Sequence, residues 1–118
     1  MSGSAPHAKR RFSLESARAL LPEIRERTTK AREEIDVIDE ARGGSSGSAD
    51  RAAELDQRKA TILSHWMRSM EALGVEVKGP WLVDFDNGEG YYCWRDPEVR
   101  LEYFHGYDEG FAERVRIQ

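Results

Sequence analysis

A chain of 118 residues that is 34% charged and 39% hydrophobic, with a net charge of −4 and a mean hydropathy of −0.71, has room for one domain with an ordinary core. It holds no apolar run near the roughly 20 residues that a membrane-spanning helix needs, and its basic start lacks the hydrophobic segment of an export signal. The single cysteine, Cys93, excludes an internal disulfide framework and a multi-cysteine zinc site, so the expected setting is reduced and cytoplasmic.

Residues 1–11 combine Ser, Gly, Ala and Pro with the cluster Lys9-Arg10-Arg11 and show no periodicity, which predicts a disordered tail ahead of a single domain over residues 12–118. From residue 12 to 42 the pattern is helical. Leu14, Ala17, Leu21, Ile24, Thr28, Ala31, Ile35 and Ile38 alternate spacings of three and four, which is a heptad seam suited to a coiled coil. Ser13 is placed to cap this helix, and Glu23 stands four residues before Arg27 in the favourable order. Pro22 lacks the N–H that would reach the carbonyl of Arg18, so a kink or a fresh start is expected there. Residues 43–48, Gly-Gly-Ser-Ser-Gly-Ser, read as a flexible loop; without a lysine they do not form a phosphate-binding loop.

Residues 49–73 carry a second helix with Ala52, Leu55, Ile62, Leu63, Trp66, Met67, Met70 and Leu73 on one stripe, stopped by Gly74. The short loop makes the two helices an antiparallel hairpin. A hairpin alone cannot cover both stripes, so the seam of helix 1 predicts a homodimer, the remaining apolar surface being met by the C-terminal third.

After Gly74 the period changes to two, punctuated by Gly79-Pro80, Asp86-Asn87-Gly88 and Asp96-Pro97. Strands are expected near 75–78, 82–85, 90–95 and 99–105, giving a small antiparallel meander over residues 75–105 and a C-terminal tail over 106–118. The fold class is therefore α+β, a long antiparallel helical hairpin followed by a small antiparallel sheet. Residues 75–118 hold nine of the eleven aromatics and ten acidic residues against five basic ones, whereas residues 1–42 are at +1 and residues 43–74 are neutral. An acidic aromatic segment repels a phosphate backbone, so nucleic acid is an unlikely partner, with only Lys9-Arg10-Arg11 pointing the other way.

Several short motifs, in order, resemble the bacterial and archaeal domain of unknown function family 2203: Phe12-Ser-Leu-Glu-Ser-Ala-Arg-Ala-Leu-Leu-Pro22, Leu73-Gly-Val-Glu-Val-Lys78, Leu82-Val-Asp-Phe85, Cys93-Trp94, Glu98, His105 and Asp108-Glu-Gly-Phe-Ala-Glu-Arg114. The chain departs from that pattern at Asp86, where proline is usual, and at Glu113, where a small residue is usual. The resemblance implies a small helical-plus-β protein and brings no activity. Asp84, Cys93, Trp94, Glu98, Phe111 and Arg114 stand in its motifs without a known role.

No catalytic constellation is recognisable. Cys93 and His105 invite a thiolate–imidazole reading, but a tight turn at Asp96-Pro97 sets Cys93 opposite Arg100 or Leu101 and keeps it from touching His105. Cys93 then reads as a small buried hydrophobe. His105 is expected opposite Gly88 or Glu89, with Asp108 and Glu109 following it. His105, Glu89, Asp108 and Glu109 form either a solvated acidic rim or a site for a hard or borderline divalent cation such as Mn, Mg or Fe(II). Arg114 is expected to tie the tail to a carboxylate. The leading functional reading is a dimeric interaction or scaffold module with an unidentified protein partner, and the alternative is a metal- or small-ligand-binding protein or enzyme centred on His105.

Overall fold

The computed structural model describes residues 10–43 and 48–118. Two antiparallel helices, α1 (Leu14–Gly43) and α2 (Ala49–Ala72), precede a five-stranded antiparallel sheet of β1 (Glu76–Gly79), β2 (Leu82–Asp86), β3 (Tyr91–Arg95), β4 (Tyr103–His105) and β5 (Val115–Arg116), each strand beside the next in sequence. The α+β hairpin-and-meander class is as expected. Residues 1–9 of the expected tail and residues 44–47 of the Gly/Ser loop lie outside the described residues.

Local chemistry accounts for the element ends. Ser13 and Ser16 cap α1 reciprocally, each backbone N–H donating to the other's hydroxyl at 3.0 Å. Ser48 caps α2 by accepting from the N–H of Arg51. Gly74, at φ +96°, turns the chain out of α2 in a conformation that a side chain would strain. The helix runs through Pro22 without a fresh start, because its other backbone bonds and the packing beneath carry it past the missing one. Glu23 pairs with Arg27 at 2.7 Å as the spacing predicts.

The heptad seam is used inside one chain. Ala17, Leu21, Ile24, Ala31 and Ile38 are buried, and Leu14 and Ile35 are half-buried. Ala17, Leu21, Ile24 and Ala31 share a core with Trp66 and Met70 of α2 and with Val83, Phe85 and Trp94 of the sheet. Thr28, at the centre of the seam, accepts the indole N–H of Trp66 at 2.8 Å, so its buried hydroxyl is satisfied. Phe12 joins this core: its N–H donates to the carbonyl of Asp86, and its ring meets Phe85 edge-on at 5.2 Å. Arg10 lies over the Phe12 ring, which ties it to the fold. No helix among the described residues is long and apolar enough to cross a membrane.

The C-terminal part departs from the expected meander. The link from β3 to β4 is the long segment 96–102, held by the indole of Trp94 donating to the carbonyl of Glu98 and by the N–H of Arg95 donating to the Glu98 carboxylate. The strand expected over 99–105 is consequently only Tyr103–His105. Residues 106–118 contain a short 3-10 turn (Phe111–Glu113) and the edge strand β5, paired with β4.

Candidate metal centre

Strand alternation in β2 sends Val83 and Phe85 into the helix-facing core and Asp84 to the opposite face of the sheet. Asp84 stands directly across from Cys93, and Cys93 from Tyr103. His105 pairs with Tyr91, two residues from Cys93, so its side chain shares their face. This overturns the expectation that Cys93 and His105 stay apart and that His105 pairs with Gly88 or Glu89. Asp96-Pro97 does sit in a tight turn, the N–H of Glu98 donating to the carbonyl of Arg95 at 2.8 Å, but the chain runs on unpaired through residues 98–102 before β4 begins, and that moves the register. One donor atom each from Asp84, Cys93 and His105 lies within 4.8 Å of the other two, and all three residues are at most 3% exposed.

The outer face of a small sheet would ordinarily be wet, and here the C-terminal segment covers it. Tyr107 meets the Tyr91 ring edge-on at 5.1 Å and donates to Asp86 at 2.6 Å. Arg114 donates to both oxygens of Glu98, at 2.8 and 3.1 Å, while its guanidinium lies 4.1 Å from the centre of the Tyr103 ring and 3.9 Å from that of Phe111. The same guanidinium interacts with the Cys93 thiol. The expected tie between Arg114 and a carboxylate is this fork on Glu98.

The imidazole is oriented by its second nitrogen. The carbonyl of Gly106 can only accept, so Nδ1 of His105 donates to it at 2.8 Å, and Nε2 faces Asp84 Oδ2 at 3.0 Å. The other oxygen, Asp84 Oδ1, is buried with no hydrogen-bond partner meeting ordinary geometry. Burial pushes the Asp84 carboxyl above its usual range, opposed by Cys93, His105 and Lys78. Burial, reinforced by the Asp84 carboxylate and opposed by Arg114, pushes the Cys93 thiol up to about 12. A thiol so held is no nucleophile by itself at neutral pH.

The other acids expected near His105 do not meet it. Glu89, Asp108 and Glu109 are exposed, and Glu109 accepts from the N–H of Gly106 at 2.7 Å. The acidic turn holds itself, with Asn87 accepting from the N–H groups of Glu89 and Gly90 and Asp86 accepting from that of Gly88. Among the described residues, Asp84, Cys93 and His105 are the one set of three such side chains with donor atoms this close. Sequence reasoning missed Asp84 as the partner of His105. The usable signal was that Asp84, Cys93 and His105 all stand in the recurring motifs, one on each of three successive strands.

The fold and this cluster define a small α+β protein with a buried imidazole, thiol and carboxyl on the outer face of its sheet. A family model described as "Uncharacterized conserved protein (DUF2203)" matches residues 10–117, and the chain belongs to that family. No curated protein and no solved structure matches the chain at a significant level.

Proposed function

We propose that this protein binds one transition-metal ion through Asp84, Cys93 and His105. The observation that carries this reading is the convergence of three different donor types within 4.8 Å, on three adjacent strands, all of them buried. A carbonyl-anchored Nδ1–H with Nε2 turned toward other donors is the arrangement that metal-ligating histidines use. A thiolate in the set favours zinc over Mg or Mn, which shifts the metal class away from the hard cations expected from carboxylates alone. Three protein donors leave one position of a tetrahedral ion for water or a small ligand.

Titration of metal-free protein with Zn2+ in competition with a chromophoric chelator tests the reading. One equivalent is expected to bind, with affinity weakened by about tenfold or more in Cys93→Ser, in His105→Gln and in Asp84→Asn. Failure of the unaltered protein to compete for zinc, cobalt or iron(II) sinks it.

Self-association is a second reading, now resting on the far end of the hairpin, where Ile38 is the one seam residue involved. Toward the far end of the hairpin Val37 is 65% exposed in a groove that it lines with Ile38 and Ile62 among the polar Glu34, Gln57, Arg58 and Thr61. A second hairpin laid there would complete a four-helix arrangement. Sedimentation at micromolar concentration is expected to show a dimer that Val37→Glu dissociates, and a monomeric unaltered protein removes the reading.

A further inference from the structure

On the helix side of the sheet, away from the Asp84–Cys93–His105 cluster, a cleft of about 560 Å3 opens between the first half of α1 and the segment that leads into β4. Its volume falls within the roughly 300–1,000 Å3 of small-molecule sites. Leu21, Pro22, Leu101 and Ile117 give it an apolar floor, and Arg18, Arg25 and Arg100 line its walls. Leu21, Pro22 and Arg25 follow Arg18 at three, four and seven residues, so one face of α1 presents two guanidinium groups on either side of an apolar step.

The charge of this cleft runs against that of the chain, which is −4 overall. Its one lining acid, Glu102, is already paired with Arg116. Arg25 and Arg100 make no ion pair among the described residues, although eight other Lys/Arg side chains do. Arg18 is fixed in place by donating from Nε and Nη2 to the carbonyl of Leu101 at 3.1 and 3.0 Å, which shapes the wall before any ligand arrives. Unpaired guanidinium groups around one concavity repel each other, and an anion between them relieves that repulsion while gaining planar, charge-assisted hydrogen bonds.

We propose that this cleft is a binding site for a small amphipathic organic acid, a carboxylate or phosphate monoester whose apolar body rests on Leu21, Leu101 and Ile117 while its anionic head meets Arg25 and Arg100. The site is independent of the metal reading, and either can fail without the other.

The test is amide chemical-shift titration of the full chain with octanoate, octyl phosphate and, as the neutral probe, octanol. Saturable shifts centred on Leu101, Glu102 and Ile117 are expected with the two anions, and octanol is expected to bind at least about tenfold more weakly. The double variant Arg25→Gln/Arg100→Gln, which leaves the structural Arg18 untouched, is expected to weaken the anions by about tenfold or more, while Arg58→Gln on the far half of the hairpin changes nothing. Equal binding of octanol and octanoate, an undiminished response in the double variant, shifts centred elsewhere, or binding only to anionic vesicles and not to the free probes overturns the proposal.

Discussion

Removing the guanidinium of Arg114 should loosen the cover over the Asp84–Cys93–His105 cluster more than it disturbs the core. Arg114 and Glu98 side chains are 12% and 25% exposed, and the two hydrogen bonds between them are 2.8 and 3.1 Å long. A charge-assisted fork of this kind contributes about 1.5–3 kcal/mol when largely buried, and the contacts with the Tyr103 and Phe111 rings add about 0.5–1 kcal/mol each. Arg114→Ala should therefore cost about 2.5–5 kcal/mol in urea denaturation. Arg114→Lys keeps the charge without the planar fork or the stacking and should lose about half of that. Because the lost contacts belong to the C-terminal segment, its opening should be local: the amide of Ile117, bonded to the carbonyl of Glu102, should exchange at least about tenfold faster in Arg114→Ala, while amides of β2 and β3 keep their protection relative to global unfolding. If both variants lie within about 0.5 kcal/mol of the parent and Ile117 exchanges at the parent rate, Arg114 is not the clasp described here.

Three further outcomes follow from single contacts. In metal-free protein the unfolded chain ionises Cys93 near its ordinary 9.0 while the folded chain holds the thiol to about 12, so this group's share of stability is complete below pH 9.0 and falls as pH rises toward 12, by about 1.4 kcal/mol per pH unit; urea curves for Cys93→Ser should lack that slope, and parallel pH dependences contradict it. Thr28→Val leaves the Trp66 indole N–H buried without an acceptor and should cost about 1–3 kcal/mol, whereas Thr28→Ser, which keeps the hydroxyl, should restore the hydrogen bond's contribution; equal thermal stabilities of the two variants would count against this. A Cβ on Gly90 would come within 2.7 Å of the carbonyl oxygen of His105 and 2.8 Å of the Phe104 ring, so Gly90→Ala should cost about 1–3 kcal/mol and disturb the β3–β4 register, and an unaltered denaturation midpoint would refute the crowding.

The helices were legible because their signals are local. The seam from Leu14 to Ile38, the cap at Ser13 and the stop at Gly74 each act within a turn of helix or over a fixed repeat, and the structure places them where the spacing does. What the seam meets is a tertiary matter, and α2 with the sheet occupies it inside one chain. The strands were legible from their period of two, but their register was not, because it depends on how far past the turn at Asp96-Pro97 the chain runs before it pairs again. The hydrogen bonds of Glu98 to Arg95 and Trp94 hold open a longer link, and that alone brings His105 into line with Tyr91 and beside Cys93. Asp84 was hidden for another reason. Alternation in Leu82–Asp86 assigns it to the outer face, which reads as solvent until Tyr107 and Arg114 are seen to fold back over it.

The metal centre is the claim on which the functional account rests, and the electronic absorption of the cobalt(II)-loaded protein tests it most directly. Addition of one equivalent of Co2+ to the metal-free chain should produce a thiolate-to-cobalt charge-transfer band together with the intense visible bands of a tetrahedral ion, and Cys93→Ser should lose the first while His105→Gln weakens both. A spectrum that remains that of hexaaquacobalt, or a charge-transfer band that survives in Cys93→Ser, contradicts a metal site built from Asp84, Cys93 and His105.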